Sequence, residues 1–233
     1  MERLHTFAEF EALLSRAGPW IGGFDFPFSL PRELVRDLGW PGSWPALVRH
    51  CACMARDELR RSLDAYRASR PAGAKYAHRA TDRPAGSSSP MKLVNPPVAL
   101  MFHEGARRLL ASGAHVPALA EGDRRRVALE AYPGLLVRRQ LGLRASYKSD
   151  TRREQTPERE TLRKEILRAL MEGRPLGIRV KADSGTKRLL LEDGSGDSLD
   201  AAICAVQAAW ASRRPRFGLP ARVPRGEGWI VSA

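Results

Sequence analysis

Two short apolar runs, each closed by an acidic residue and a proline, constrain the fold of this 233-residue sequence most strongly. In WIGGFDFP, Asp25 follows the apolar run and Pro27 comes two residues later. In VALEAYP, Glu130 follows the apolar run and Pro133 comes three residues later. Proline lacks the N–H group that a central strand needs, so a strand stops near it. Each run is therefore predicted to be a buried strand that ends just beyond its acid.

Helical patterns separate these strands and follow the second one. Apolar residues recur at helical spacing in FAEFEALL, over 43–70, in VALMFHEGARRLLASGA, in RETLRKEILRALMEG and in DSLDAAICAVQAAWA, and a short ribbon is predicted over 177–194. Strands that alternate with helices indicate an α/β layered fold with at least partly parallel pairing. We expect a single domain over 1–233, with residues 70–97, rich in Pro, Gly, Ser and cations, as an inserted basic loop.

The charge balance indicates a polyanionic partner. The chain has 39 Lys and Arg against 26 Asp and Glu, a net charge of +13, which favours nucleic acid. Only six of these cations are Lys, so a GC-rich genome also explains the excess of arginine. No apolar run reaches the ~20 residues of a membrane span. The acidic N-terminus is unlike a signal peptide, and an odd cysteine count suits a reducing, cytoplasmic location.

Four acids form a candidate metal cluster. Asp25 and Glu130 end strands at the edge where α/β sheets bind ligands, and Asp197 and Asp200 share one face of the last helix. Asp197 with Asp200 is also a pattern typical of a helix cap. If the four side chains converge, they predict a carboxylate site for Mg²⁺ or Mn²⁺, in which Asp25, Glu130 and Asp200 bind metal. Such sites catalyse phosphodiester hydrolysis.

Cations in two polar loops are candidate phosphate contacts. Lys75, Arg79 and Lys92 lie in the first loop, and Lys148 and Arg152 in the second. Contacts of this kind bind nucleic acid without sequence preference. A merely solvated basic surface is the alternative. The segment GSGD lacks the spacing and the lysine of a phosphate-binding loop, so no nucleotide cofactor is expected.

Several motifs resemble one known family in order and over nearly the whole chain: GPWIGGFDFPFSLPREL, SPMKLVNPPVALMFHEGARRLL, VALEAYPGLLVRRQLG, SYKSD and GDSLDAAICAVQAAWA…GEGWIV. This is the predicted RNase H-like nuclease family, domain of unknown function 429. The resemblance implies an α/β RNase H-like fold, a mixed sheet flanked by helices, and a metal-dependent nuclease acting on RNA or DNA. Asp25, Glu130, Asp197 and Asp200 match its expected acids, and Lys148 is similar to a family lysine.

The sequence departs from that family at its start. Members begin with an Asp-bearing strand and a β-hairpin, whereas this chain starts at MERLHTFAEF, which corresponds to the helix after the hairpin. We therefore expect a clipped or misassigned N-terminus, a sheet without its first strands, poor metal binding, and weak or no catalysis by the chain as written. A non-catalytic nucleic-acid-binding protein, or a structural interaction domain, is the alternative function.

Overall fold

A small parallel sheet organises the chain in the computed structural model, which describes residues 2–233. Within these residues its strands are β1 (Trp20–Phe24), β2 (Ala114–His115) and β3 (Asp123–Glu130), in the spatial order β1-β3-β2. All pairs are parallel, and the register places Phe24 beside Glu130. The two predicted strands are thus confirmed as parallel neighbours, and they end at the same level of the sheet. The architecture is α/β, with helices flanking the sheet.

Helices make up most of the remaining regular structure. They are α1 (Phe7–Leu14), α2 (Arg32–Asp37), α3 (Trp44–Cys53), α4 (Arg56–Ser69), α5 (Asp82–Ala85), α6 (Val98–Ser112), α7 (Pro157–Glu172), α8 (Ser184–Glu192) and α9 (Asp197–Ser212), and a π-helix spans Leu135–Gln140. The long helix predicted over 43–70 is divided, because the chain is extended at Met54 and Ala55.

The ribbon predicted over 177–194 is wrong. Residues Ser184–Glu192 form α8, whose first turn is capped by the Asp183 carboxylate accepting from the Thr186 amide. A short run such as LLLE does not distinguish strand from helix by periodicity. Leu190 turns into the protein, and packing of α8 against α7 and α9 decides for the helix.

Both faces of the sheet are buried, so β3 alternates between two apolar clusters. Ala128 packs into a large cluster with Trp44 of α3 and Phe102 of α6. Val127 and Leu129 face the opposite side, where they pack against the end of α9. The sheet is therefore the middle layer, and α9 covers the face away from α6.

Contact between α9 and β1 depends on a glycine. A methyl group at Gly23 would lie 2.4 Å from the carbonyl oxygen of Cys204, closer than any side chain tolerates. The helix backbone thus rests directly on the strand. This close packing brings the first turn of α9 near the end of β1, where Asp25 follows.

The segment over 70–97, predicted as an inserted basic loop, is packed against the core. It contains α5, and it buries Arg79, Thr81, Asp82 and Met91. A polar segment can be ordered in this way when its buried polar groups are paired. None of the helices within residues 2–233 has the length and apolar character to cross a membrane.

Candidate functional site

A cavity of about 490 Å³ opens at the carboxyl ends of β1 and β3. Asp25, Glu130 and Asp200 all line it, together with Lys148 and Tyr147. Strand ends of an α/β sheet are the usual place for a ligand site. Three of the four predicted acids thus meet at one place, although they lie far apart in the sequence.

Asp25 is the carboxyl group of the cavity with the most perturbed ionisation. Burial, and next the negative charge of Asp200, raise the pKa of Asp25 from 3.8 to about 7. The positive charges of Lys148 and Arg138 act in the opposite direction. Among the described residues, no hydrogen bond contributes to this shift. The site therefore holds a carboxyl group that changes charge near neutral pH and lacks a bonded cation.

The negative charge of Glu130 is balanced by a buried arginine. Arg79 donates to both oxygens of Glu130, at 2.8 and 2.7 Å, and the backbone amide of Phe28 donates at 3.0 Å. Arg79 also binds Asp82 at 2.9 Å. Burial acts to lower the pKa of Arg79, but Glu130 and Asp82 raise it above its ordinary value. Because the bidentate pair occupies both of its oxygens, Glu130 is a structural anion rather than a free ligand.

Arg79 itself does not have the role predicted for it. Its side chain is only 2% exposed, and each of its guanidinium nitrogens is engaged by Glu130 or Asp82. A phosphate contact requires an accessible donor. The structure therefore assigns Arg79 to an internal ion pair instead of a nucleic-acid surface.

Asp200 lies in the first turn of α9 and binds two neighbouring residues of the SYKSD motif. The Tyr147 hydroxyl and the Lys148 ammonium group each donate to its carboxylate. Burial raises the pKa of Asp200, whereas Lys148 lowers it. Gly196 allows this approach, since it has a left-handed backbone (φ +79°) and a methyl group there would lie 2.7 Å from Lys148.

Asp197 lies outside the cavity lining. It is exposed at the start of α9, where it accepts a hydrogen bond from the Ser195 hydroxyl at 2.9 Å. The helix cap predicted for Asp197 and Asp200 is supplied by another residue, because the Ser198 amide donates to Asp193 at 2.9 Å. One carboxylate of the DSLD pair therefore belongs to the site and the other does not.

Cations surround the cavity, but only some of them are those predicted. Lys92 and Lys148 line it, as do Arg138 and Arg144. Arg138 was not predicted, and the only signal for it in the sequence is its place just after a strand that ends in an acid. Lys75 lies in a separate cavity and donates to the Arg70 carbonyl at 2.7 Å. Arg152 is exposed in the short helical turn Arg152–Glu154, outside the cavity lining.

The carboxylates of the cavity do not form a closed metal site. Across residues 2–233, no three or more His, Cys, Asp or Glu side chains are arranged to hold an ion. Asp25 and Asp200 remain as a pair of carboxylates that sense each other's charge. Mg²⁺ commonly binds one or two carboxylates and completes its shell with water and substrate oxygens. Two carboxylates are too few for a closed protein cage, so only an ion that keeps most of its water ligands could be held here.

The carboxyl edge of this α/β sheet thus ends in a cavity that acidic and cationic side chains line together. The chain belongs to the family described as "Protein of unknown function (DUF429)", whose model matches residues 2–224. No curated protein and no solved structure matches the chain.

Proposed function

We propose that this protein is a nuclease of RNase H-like fold that hydrolyses phosphodiester bonds of RNA or DNA with Mg²⁺ or Mn²⁺. One observation carries the proposal: Asp25 and Asp200, from elements distant in sequence, line the same cavity as Lys92, Arg138 and Arg144. Paired carboxylates next to cations suit a reaction on a phosphate group, which needs charge neutralisation on all sides.

Cationic side chains at the cavity attract and hold the substrate. Lys92, Arg138 and Arg144 come from different segments of the chain, and the Arg138 guanidinium group also packs on the Tyr132 ring, 5.5 Å from its centre. Arginine binds phosphate oxygens through two parallel hydrogen bonds, and lysine binds them as a point charge. The substrate backbone is thus drawn toward the acids at the base of the cavity.

Asp25 and Asp200 would hold the divalent cation. When bound, the cation neutralises phosphate charge and makes a water molecule more acidic. The Tyr147 hydroxyl fixes the orientation of Asp200, and Lys148 supplies it with a positive charge. The pair formed by Arg79 and Glu130 holds the Phe28 amide and so fixes the turn that follows Asp25. These contacts position the two carboxylates before substrate binds.

Isosteric substitution of the two carboxylates tests the proposal. Wild-type protein and the variants Asp25→Asn and Asp200→Asn are incubated with labelled single-stranded, duplex and branched substrates in Mg²⁺ or Mn²⁺. Removing one charged ligand is expected to lower cleavage by at least about 100-fold. The matched control is Asp197→Asn, an exposed carboxylate outside the cavity lining, which should cleave like the wild type. Cleavage that survives both cavity substitutions would overturn the proposal.

A non-catalytic nucleic-acid-binding protein is the second candidate. Two of the three cavity acids already have a cationic partner within the chain, Glu130 in Arg79 and Asp200 in Lys148. The negative charges of Glu130 and Asp200 are therefore balanced without a metal ion. The candidate predicts salt-dependent binding of oligonucleotides with no cleavage under any of the above conditions. Cleavage lost specifically in Asp25→Asn would exclude it.

A further inference from the structure

An exposed cluster of arginines follows α9, at the end opposite the cavity. This arginine cluster consists of Arg213, Arg214, Arg216 and Arg222. No acidic residue occurs over 201–226. None of the four forms a salt bridge with another residue of 2–233. Four positive charges thus face solvent without compensation, which is the electrostatic footprint of a polyanion site.

Packing of its neighbours holds the arginine cluster in place. Arg214 stacks on the Trp210 ring, with the guanidinium carbon 4.4 Å from the ring centre. Arg216 donates to the carbonyls of Pro220 and Ala221, both at 3.3 Å. Phe217 has a left-handed backbone (φ 58°) and packs into the apolar cluster beneath. Side chains fixed in this way lose little entropy when they bind a ligand.

The length of α9 sets the distance between the arginine cluster and the cavity. Asp200 lines the cavity, and Arg213, which directly follows the last residue of the helix, lies thirteen residues further along the chain. At 1.5 Å per residue, the distance along the axis is about 20 Å. The exposed face of the helix between them carries Ala201, Ala205 and Ser212 at helical spacing. Between Asp200 and Arg213 this face has no bulky or negatively charged side chain, and Asp197 lies on it before Asp200.

We propose that the arginine cluster binds the phosphate backbone of a nucleic-acid strand whose reacting segment occupies the cavity. This inference rests on the proposed function and specifies its substrate class. Phosphates repeat about every 3.4 Å along each strand of a duplex, so a stacked strand covers about 20 Å with about six nucleotides. The protein should therefore prefer strands longer than that, without preference for base sequence, because the contacts are to phosphates.

An anionic membrane surface is the other polyanion that such a cluster could meet. The apolar residues of the segment argue for nucleic acid, because Trp210 and Phe217 pack inward against Ala208 and Val231. Membrane-surface helices instead present their apolar side chains to the lipid. Binding to vesicles serves as a separate arm of the test.

The experiment measures affinity for labelled single-stranded oligonucleotides of about 3 and about 12 nucleotides. It uses the full chain in EDTA, so that binding is separated from cleavage. The variant is Arg213→Gln/Arg214→Gln/Arg216→Gln, which changes exposed side chains only. We expect at least about tenfold weaker binding of the long strand, unchanged binding of the short one, and a salt-dependence slope smaller by about 2.

A charge-matched control removes three cations elsewhere on the surface. In Arg49→Gln/Arg60→Gln/Arg61→Gln the net charge falls by the same amount, but the arginine cluster is intact. Binding of the long strand should then weaken by less than about threefold at physiological salt. Circular dichroism verifies that both variants are folded.

Several outcomes would overturn the inference. They are equal losses in both triple variants, no loss in either one, equal affinity of the wild type for long and short strands, and tighter binding to phosphatidylserine vesicles than to the long strand. Absence of any oligonucleotide binding would overturn this inference and the nucleic-acid function together. Length-dependent binding without cleavage would remove only the proposed catalysis.

Discussion

Replacing Asp25 by Asn should stabilise the protein in a manner that depends on pH. The raised pKa of Asp25, about 7 compared with 3.8, means that the folded state prefers the neutral carboxyl group. The contribution of Asp25 to the free energy of unfolding of the wild type is fully present below pH 3.8. It decreases as the pH rises from 3.8 and is fully lost above about pH 7. Asparagine has a similar shape and never ionises, so the variant does not suffer that loss.

The magnitude follows from the two pKa values. The full difference corresponds to about 4 kcal/mol, and about 2.5 kcal/mol of it develops between about pH 5 and about pH 8. Any loss of packing or hydrogen bonding caused by the amide is the same at both pH values. The change with pH in the difference between the two proteins therefore isolates the ionisation of Asp25.

The assay is urea unfolding of the wild type and Asp25→Asn in EDTA, at about pH 5 and about pH 8. The free energy of unfolding of the variant, relative to the wild type, should rise by about 2.5 kcal/mol over this interval. Asp197→Asn is the control, because that carboxylate is exposed and its substitution should have little effect at either pH. A constant difference between wild type and Asp25→Asn at the two pH values would show that the pKa of Asp25 is not raised in the folded protein.

Three further predictions concern packing, the buried ion pair and the metal. Gly23→Ala should lower the free energy of unfolding by about 1–3 kcal/mol, because its methyl group would collide with the α9 backbone. The control Gly42→Ala has free space for the methyl group and should be nearly neutral in the same urea titration. Arg79→Met should lower the free energy of unfolding by about 3–5 kcal/mol, because it leaves Glu130 buried without a partner, and the double variant with Glu130→Leu should recover part of that loss. A double variant that is as unstable as Arg79→Met would contradict the role of the pair. Lys148→Met should bind Mn²⁺ more tightly in isothermal titration calorimetry, because the ammonium group of Lys148 competes with the metal ion for the Asp200 carboxylate. Weaker binding by the variant would show that Lys148 does not compete with the metal ion.

Local sequence patterns were sufficient to predict the central strands of this protein. The runs ending in Asp25 and Glu130 predicted two buried parallel strands, and both form as neighbours with their ends aligned. Local rules suffice here, since an apolar run of strand length followed by proline has few alternative structures. Predictions were wrong where the local signal was ambiguous, as in the leucine run of α8.

Which charged groups meet depends on the tertiary fold. Sequence placed Glu130, Asp197 and Arg79 in a catalytic or binding role, but Arg79 pairs with Glu130 and Asp197 is exposed outside the cavity lining. Lys148 was predicted as a phosphate contact, and its pairing with Asp200 is visible only in the fold. A charge is paired by proximity in space, which depends on how distant segments pack and leaves no trace in local periodicity.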